Sequence, residues 1–495
     1  MRKQITFLVL GLLLSLGSVQ AQFWTQIGQD IYGEAENDFS GISLSLSSDG
    51  SFIAIGAHAN DGGGVDAGQV RIFENQSGTW VQVGQDIDGE AAGDKSGYSV
   101  SISSDGSVVA IGSYYNSDNG TEAGQVRVFE NQGGTWTQIG EDIDGEAAED
   151  RSGFSISLNS EGSVLAIGAI FNGGNGFRSG QVRVFENEGG EWIQIGEDID
   201  GEAEVDLFGY SVSLNSDGSI LAAGANANDV AGFDAGDVRV FENQDGTWTQ
   251  IGENINGEGE QDRFGNSVSL SSDGTVVAVG APSDGDDPGY ISVYENQDGT
   301  WTQIGEDING DVAGDMAGKR ISLSSDGLVV AFGAVLNDNN GSNAGLVRVY
   351  KNQNGAWIQM GEDINGESAN VMEGTSLCLN ADGSVIAVGA PFNSEGATNA
   401  GQVRVLHNLT VNTSSINENE VMIFPNPTTG LLYLKVSDDI KEISITDISG
   451  KVIPFSYFVT NSTHHILDLS DQGNGIYFVK IQNENSTFVK KIIKN

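Results

Sequence analysis

The sequence is poor in several residue types, and each scarcity excludes a class of protein. Its 495 residues include one cysteine, four histidines, six prolines and 22 basic side chains against 69 acidic ones. Because there is a single cysteine, Cys378, the chain has no internal disulfide framework. A formal net charge of −47 repels nucleic-acid phosphates and anionic membranes and attracts cations or basic partners. We therefore predict no nucleic-acid partner.

Long hydrophobic runs are also scarce and are confined to the N-terminus. Residues 1–21 combine two basic residues, an apolar run from Ile5 to Leu16, and small residues before a cleavage point after Ala21. This pattern is typical of a secretory signal peptide. The run is shorter than the ~20 residues that a spanning helix needs, although an uncleaved anchor helix is the alternative. We predict that no transmembrane helix remains after cleavage.

Two independent markers recur seven times in the chain. Tryptophan recurs at intervals of about 56 residues in the context W-x-Q-[IVM]-G, and an acidic residue followed by glycine marks a separate series of turns. The tryptophans are Trp24, Trp80, Trp136, Trp192, Trp248, Trp301 and Trp357. The turn acids are Asp49, Asp105, Glu161, Asp217, Asp273, Asp326 and Asp382. Because both series have the same number of members, they predict seven repeats.

The second repeat contains four strand signals and no helical periodicity. Residues 98–103 alternate apolar residues with serine, and residues 108–112 form a continuous apolar run, which indicates burial on both faces. Residues 125–130 alternate again, and residues 135–140 are mostly polar. The pair Asp105-Gly106 predicts a tight hairpin between the first two strands. A meander whose middle strands are buried on both faces needs a neighbour on each side, which the radial packing of a β-propeller supplies.

The ends of the repeat region favour a closed ring over an open solenoid, which would need capping repeats. The region begins at Trp24 with a fourth-strand segment, and it ends with a third strand at residues 402–407 that no tryptophan segment follows. The first segment therefore completes the last sheet. We predict an all-β fold in which residues 22–408 form a seven-bladed β-propeller closed by an N-terminal outer strand.

The long connections, which we expect on one face of this ring, are the places where binding residues are expected. Two of the loops between the second and third strands contain oxygen-bearing residues of the kind that Ca²⁺ prefers. These candidate metal ligands are Asn116, Asp118, Glu122, Asp338 and Asn340. Neither loop has the complete D-x-[DN]-x-[DN]-G series, and such residues also form turns. Calcium is the one cofactor that the sequence suggests; no other is identified.

The other long connection is acidic in every repeat, as in residues 141–150. Three interpretations remain open for this rim. It is a solvated surface that keeps the protein soluble, a site for divalent cations, or a surface for a basic protein partner.

The clearest departure from the repeat is a pair of cations. Lys319 and Arg320 stand in the first strand of the sixth repeat, and we hypothesise that they form an anion-binding spot near the axis; pairing with the acidic rim is the alternative. His58, at the start of a long loop, is the third candidate ligand-binding residue. Neither His58 nor His407 has a neighbouring Ser, Cys or second His that would support a triad or a zinc site. No catalytic residue is predicted.

The repeats also contain an FG…GAP pattern. Its whole and partial copies are Phe264-Gly265 with Gly280-Ala281-Pro282, Phe208-Gly209, and Gly389-Ala390-Pro391. The region 22–408 therefore resembles the FG-GAP propellers of integrin α-subunits and their bacterial relatives. This resemblance implies a seven-bladed propeller with a role in extracellular interaction or adhesion. Members of the family often bind Ca²⁺ through D-x-D-x-D-G in the first hairpin loop, which here is shortened to Ser-Ser-Asp-Gly, so that site does not carry over.

The composition changes after the last repeat. Residues 409–420 are a polar linker, and from residue 421 to 495 lysine becomes frequent and short alternating segments predict a small β-sandwich. The motif residues of this tail are Pro425, Asn426, Pro427, Gly430, Gly450, Gly475, Tyr477, Lys490 and Lys491. They resemble a type IX secretion C-terminal sorting domain, which implies export by the type IX machinery of a Bacteroidetes-like bacterium. An ordinary C-terminal binding module is the alternative.

These observations predict a secreted or cell-surface propeller that works as a binding or adhesion module for a protein or glycan ligand. A polysaccharide-acting enzyme with its site on the long-loop face is one alternative, and a structural surface or matrix protein is another. An enzyme is the less favoured interpretation because no catalytic constellation breaks the repeat.

Overall fold

The computed structural model describes residues 22–283 and 287–410, and, in the C-terminal part, 421–424, 428, 430–436, 441–447, 451–461, 464–470, 472–482 and 487–494. Every regular element in these residues is a β-strand. They form two compact units, one of which is Gln22–Leu409. The signal peptide predicted for 1–21 and residues 411–420 of the predicted linker lie outside the described residues.

Seven antiparallel sheets build the first unit, and each has four main strands and a short fifth strand that also pairs with the third. The innermost strands, which number blades 1 to 7, are Ser43–Leu46, Ser99–Ile102, Ser152–Leu158, Ser211–Leu214, Ser267–Leu270, Ala317–Leu323 and Ser376–Leu379. The second strands are Phe52–Ala57, Val108–Ser113, Val164–Ala169, Ile220–Ala225, Val276–Ala281, Val329–Ala334 and Val385–Ala390. The third strands are Gln69–Asn75, Gln125–Asn131, Gln181–Glu188, Asp237–Gln244, Tyr290–Gln297, Leu346–Gln353 and Gln402–Thr410.

The outer strands complete each blade. The fourth strands of blades 1 to 6 are Trp80–Gln82, Trp136–Gln138, Glu191–Gln194, Thr247–Gln250, Thr300–Gln303 and Ala356–Gln359. The fifth strands of the same blades are Ile87–Asp88, Ile143–Asp144, Ile199–Asp200, Ile255–Asn256, Ile308–Asn309 and Ile364–Asn365. The sequence did not predict these fifth strands, because two residues are too few to show an alternation.

The chain start closes the ring, as the sequence predicts. Gln22–Gln26 and Ile31–Tyr32 are the fourth and fifth strands of blade 7, where both pair with Gln402–Thr410. Ile31 lies opposite Val403, and the Ile27 N–H donates to the Val405 carbonyl at 2.7 Å. The first and last segments of the repeat region therefore share one sheet, which confirms the closed seven-bladed propeller.

Apolar packing between neighbouring blades supplies the core. The second strands are buried along almost their whole length, as the continuous apolar runs indicate. One core cluster joins Ala54 and Ile72 of blade 1 with Val100 and Ile111 of blade 2, and the other blade pairs repeat this arrangement. Because each sheet buries both faces against its neighbours, radial packing is satisfied all round the ring.

The tryptophans join the blades at their outer edges. Each indole N–H donates to a backbone carbonyl of the preceding blade at 2.8–3.1 Å. The bond from Trp24 reaches Met360 at 2.8 Å and thereby ties the chain start to the end of blade 6. The tryptophan series is thus interblade packing, with a polar edge satisfied by hydrogen bonding.

A ring of backbone hydrogen bonds encircles the axis next to the first hairpins. In each blade one N–H after the innermost strand donates to the same carbonyl of the next blade, at 2.8–3.0 Å. The participating residues are Ser48, Ser104, Ser160, Ser216, Ser272, Ser325 and Ala381. The last bond, from Ala381 to Ser48, closes the circle, so none of these innermost groups is left as an open edge.

The second unit contains two sheets, which fit the predicted small sandwich. One consists of Val421–Phe424, Leu431–Val436, His464–Asp468 and Ser456–Asn461, and the other of Glu442–Asp447, Gly475–Gln482 and Thr487–Lys494. Leu432, Leu467, Ile445 and Val479 from both sheets share one apolar core.

The predicted sorting-motif residues fall partly within this unit. Tyr477 is buried and its hydroxyl donates to the Gly473 carbonyl at 2.7 Å, while Gly475 begins the same strand. Gly430 has a φ of 143°, a conformation open mainly to glycine. Lys490 and Lys491 lie in the last strand. Pro425, Asn426, Pro427 and Gly450 lie outside the described residues.

Candidate functional site: the axial mouth on the long-loop face

The long connections lie on one face of the propeller. Ser43, which begins the innermost strand of blade 1, pairs with Gly56 near the end of the second strand. The loop that leaves the second strand and the connection that enters the innermost strand therefore lie at the same end of the blade. We call this end, represented by residues 58–68 and 89–97, the long-loop face.

A cavity of about 190 Å³ opens on the axis of this face; we call it the axial mouth. Side chains at the start of the innermost strands line it, and those outside the serine positions include Ile42, Tyr98, Phe154, Tyr210, Asn266 and Arg320. Since a water takes roughly 30 Å³ of liquid volume, the cavity has room for a small polar group together with several waters.

Serine hydroxyls connect six blade pairs at the axial mouth. In each case the hydroxyl donates to a glycine carbonyl of the next blade at 2.6–2.9 Å. The serines are Ser43, Ser99, Ser155, Ser211, Ser267 and Ser376. These small residues fit the crowded axis, as the alternation of serine with apolar residues in the first strand indicates.

Arg320 occupies the seventh position of this serine ring. It pairs with Gly333 as Ser99 pairs with Gly112, so it keeps the register of the ring serines. Arg320 lines the axial mouth, is half-buried, and has one Nη1 contact, to the Lys319 carbonyl at 3.4 Å. Among the described residues no carboxylate forms an ion pair with it.

Aromatic rings form an arc along the blades that face Arg320 across the mouth. Tyr98, Phe154 and Tyr210, from blades 2, 3 and 4, have centroid separations of 5.2 and 5.0 Å between successive rings. Tyr114 packs against Tyr98 with a centroid separation of 4.3 Å and ring planes tilted by 44°. Burial raises the pKa of the Tyr98 hydroxyl, and the positive charge of Arg320 acts in the opposite direction. The Arg320 guanidinium is therefore close enough to the arc for its charge to act on the Tyr98 hydroxyl.

His58 extends the aromatic arc and carries no charge at neutral pH. Its ring lies 6.0 Å from that of Tyr98 and 5.8 Å from that of Phe39. Burial, followed by the nearby Lys95 charge, lowers its pKa to about 4, and its Nδ1 is buried without a hydrogen-bond partner. Unlike Arg320, neither His58 nor Lys319 belongs to the lining of the axial mouth.

Four of the five predicted calcium ligands, all but the Asp118 carboxylate, make side-chain contacts within the protein. The buried Asn116 accepts the Asp118 N–H at 2.9 Å, and Glu122 pairs with Arg151 at 2.8 Å. Asp338 accepts the Asn343 N–H at 2.8 Å, and Asn340 donates to the Gly366 carbonyl at 2.7 Å. These bonds are those of Asx turns and loop bridges, and Ca²⁺ binding by these loops stays a prediction.

In the part of the chain that the structure describes, one group of carboxylates is close enough to hold a metal ion. Asp30, Glu367 and Glu395 meet where the chain start joins blade 7. The Tyr32 hydroxyl bonds to Asp30 at 3.0 Å and to Glu395 at 2.9 Å, and Arg404 lies 3.5 Å from Glu367. The Tyr32 hydroxyl and the Arg404 guanidinium therefore already contact all three carboxylates.

Sequence reasoning found Arg320 because it breaks the repeat, but it missed the aromatic arc. Tyr98, Phe154 and Tyr210 each follow a glycine that recurs at the start of the first strand in every repeat. Taken singly, they look like ordinary apolar strand residues. Aligning the seven repeats at that glycine shows the signal, because this column is the only variable one between two nearly invariant columns: Ile42, Tyr98, Phe154, Tyr210, Asn266, Lys319 and Thr375.

Comparison with known proteins agrees with both units. Residues 87–129 match the FG-GAP repeat, and residues 422–495 match the secretion system C-terminal sorting domain. No curated protein sequence matches the chain significantly. Among the described residues, no helix combines the length and hydropathy needed to cross a bilayer.

Solved structures similar to this chain include several that align at low identity. A Bacteroides uniformis protein assigned as a 6-phosphogluconolactonase has 15% identity and a TM-score of 0.48, with 66% of this chain and 85% of that one covered. U3-55K has 13% identity and a TM-score of 0.47, with 78% and 98% covered. The Dos1 propeller has 12% identity and a TM-score of 0.44, with 78% and 96% covered. The chain carries an FG-GAP repeat within a seven-bladed β-propeller, followed by a type IX secretion sorting domain, and is a secreted or cell-surface protein.

Proposed function

We propose that this protein is a binding module that takes an extracellular ligand at the axial mouth of the long-loop face. The observation that carries the proposal is Arg320, which interrupts an otherwise regular serine ring, forms no ion pair among the described residues and lies opposite an arc of half-buried aromatic rings. A concave site with aromatic walls and few polar groups is the usual form of a ligand site. Secretion by the type IX machinery places such a site outside the cell.

The lining of the axial mouth favours binding over hydrolysis. Glycoside hydrolysis usually needs two carboxyl groups on either side of the scissile bond, and general acid–base catalysis needs at least one titratable group within reach of the substrate. Among the described residues the lining consists of Ser, Asn, Tyr, Phe, aliphatic residues and Arg320, so it offers no pair of carboxyl groups, and its titratable side chains are the tyrosines and Arg320. The polysaccharide-acting alternative would therefore have to use another part of the long-loop face.

The proposal can be tested by closing each end of the axis in turn. Ile42→Trp places a large ring in the axial mouth, at a position where three other blades already have Tyr or Phe. Ala381→Trp is the matched control, because it narrows the opposite cavity and leaves the backbone ring intact. Both variants and the unaltered protein are screened on glycan and extracellular-protein arrays, with and without Ca²⁺.

We expect the unaltered protein and Ala381→Trp to bind the same array members and Ile42→Trp to lose them. Retention of all binding by a folded Ile42→Trp variant would exclude the axial mouth. The absence of any binding by the unaltered protein would favour the structural surface or matrix alternative.

A further inference from the structure

We infer that the axial mouth takes an acidic saccharide, with an anionic group of the sugar on Arg320 and the sugar ring against the aromatic arc of Tyr98, Phe154 and Tyr210. This inference rests on the proposed function, because it names the ligand class for the same site.

Arg320 differs from the third-strand arginines of most blades, because among the described residues no carboxylate forms an ion pair with it; Arg239 of blade 4 also lacks an ion pair, but it donates to the Asp200 carbonyl of the preceding blade at 2.7 Å. In a chain with 69 acidic residues, the third-strand arginines of five blades have a carboxylate within 4.0 Å. They are Arg71, Arg127, Arg183, Arg348 and Arg404. A half-buried guanidinium gains most from a partner that uses its planar fork in two hydrogen bonds, as a carboxylate or sulfate does. An external anion is the partner that the site lacks.

The serine ring suits a ligand rich in hydroxyl groups. Each ring serine uses its hydroxyl proton on a glycine carbonyl of the next blade, as Ser99 does on Gly153 at 2.7 Å. A hydroxyl that donates in this way still has acceptor capacity, so the mouth presents several acceptors. Sugar hydroxyls are donors that match these acceptors.

The aromatic arc supplies the apolar part of the site. Tyr98, Phe154 and Tyr210 are all half-buried, so one side of each ring remains open to the mouth. The C–H face of a sugar ring can lie against such a surface while its substituents reach the polar groups around it. Arg320 on blade 6 is across the mouth from blades 2 to 4, so one ligand can contact both.

The charge of the whole protein limits how many anionic groups the ligand carries. A net charge of −47 repels a polyanion at long range, and the acidic connections surround the mouth. One cation at the centre therefore favours a short or terminal acidic sugar over a highly charged polymer such as a nucleic acid.

Calorimetric titration of the mature protein tests the inference with three probes of equal length: an oligogalacturonide, a sulfated oligogalactoside and a neutral oligogalactoside. The diagnostic variant is Arg320→Ser, which restores the residue of the other six blades and should fold at least as well as the unaltered protein. Arg320→Lys keeps the charge and removes the fork.

We expect one of the two acidic probes to bind and the neutral probe to bind at least tenfold more weakly. Arg320→Ser should weaken acidic binding by roughly 10- to 100-fold, because a hydrogen bond to a charged group typically contributes about 1.5–3 kcal/mol, while its melting temperature stays unchanged or rises. The affinity of Arg320→Lys for the acidic probe should lie between those of the unaltered protein and Arg320→Ser. Whether the carboxylate or the sulfate probe binds identifies the anionic group.

Three results would overturn the inference. They are binding that Arg320→Ser leaves unchanged, equal binding of neutral and acidic probes, and no binding of either acidic probe at millimolar concentration. The proposed function can survive these results. If the protein binds a protein or a neutral glycan, and Ile42→Trp abolishes that binding, the binding role is supported while the acidic-saccharide ligand is refuted.

Discussion

Replacing Asp237 by asparagine is expected to stabilise the propeller at neutral and alkaline pH. Asp237 begins the third strand of blade 4, where four other blades have glutamine. It is 1% exposed, its Oδ2 accepts the Asn254 amide at 2.7 Å, and its Oδ1 is buried without a partner. Burial, the largest cause, raises its pKa from 3.8 to about 7, although the Arg239 charge opposes this.

The sign of the effect follows from the direction of this pKa change. An acid whose pKa is higher in the folded state stabilises the fold below its unfolded pKa, and this contribution is lost as the pH rises through the folded value. Between about pH 4 and pH 7 the loss reaches ~4 kcal/mol, at about 1.36 kcal/mol per pH unit. Asparagine stays neutral, and its amide can donate to nearby acids as the Gln181 amide does to Glu146 at 3.2 Å.

The expected difference is large enough to measure by thermal unfolding. For the unit Gln22–Leu409, about 2.1 cal/mol/K per residue gives an unfolding entropy of ~0.8 kcal/mol/K, so Asp237→Asn should raise the melting temperature by ~5 °C at pH 8. At pH 4 the two proteins should melt together.

Asp217→Asn is the opposite control for this measurement. Asp217 lies in an exposed hairpin turn, and hydrogen bonds from Ser219 lower its pKa. Its carboxylate therefore stabilises the fold above pH 4, and the variant should be less stable than the unaltered protein at pH 8. The reasoning about Asp237 would be refuted by an Asp237→Asn protein that gains nothing at pH 8, or that gains equally at pH 4 and pH 8.

Three further predictions concern closure, the cysteine and export. Trp24→Ala should lower the free energy of unfolding by ~3 kcal/mol, because it removes the indole that packs between blades and bonds to the Met360 carbonyl. Deletion of residues 22–31 should abolish cooperative melting, because it removes the outer edge of blade 7; a deletion protein that melts normally would contradict the closure argument. Cys378, whose pKa burial raises to about 12, should react with a thiol reagent at pH 8 far more slowly than in urea, and Cys378→Ser should change the melting temperature little; rapid labelling of the folded protein would count against this. Deletion of residues 422–495 should keep the propeller folded but retain it inside a type IX-secreting cell, as fractionation would show, and its appearance at the surface would disprove the assignment of the sorting role.

Much of the fold could be predicted because structural residues recur. Seven tryptophans and seven turn acids fixed the number of blades, and the missing last tryptophan segment located the closing strand in the chain start. The third-strand arginines recur in six of the seven repeats, and five of them have a carboxylate within 4.0 Å. In the structure they also reach back to the preceding blade, as Arg127 does to the Asp88 carbonyl at 2.7 Å, and they lie over phenylalanine rings. Such partners belong to another repeat, and no pattern within one repeat specifies them.

The candidate site was harder to predict. The sequence shows that Lys319 and Arg320 break the repeat, but it does not show which of the two side chains faces the axis. Lys319 and Arg320 are adjacent cations, and in other blades both of the corresponding positions, as in Tyr98 and Ser99, line the mouth. The lining of the axial mouth shows which of the two belongs to it: Arg320, which pairs with Gly333 in the register that Ser99 has with Gly112, lines the mouth, and Lys319 does not. The hypothesis of an anion-binding spot therefore pointed to the right region of the chain but could not separate the two side chains.

The repeat itself explains how the propeller tolerates this departure. Replacing the seventh serine by Arg320 forgoes one interblade hydrogen bond of about 1 kcal/mol and half-buries a charge. The same pair of blades is still joined by the Ser325–Ala381 backbone bond at 2.8 Å and by the bond from the Leu379 N–H to Ser322 at 2.9 Å. Because neighbouring blades are connected at several levels along the axis, a single position can diverge without opening the ring. A closed propeller of near-identical blades can thus acquire a ligand-specific residue at its centre, where one substitution affects the space that all seven blades enclose.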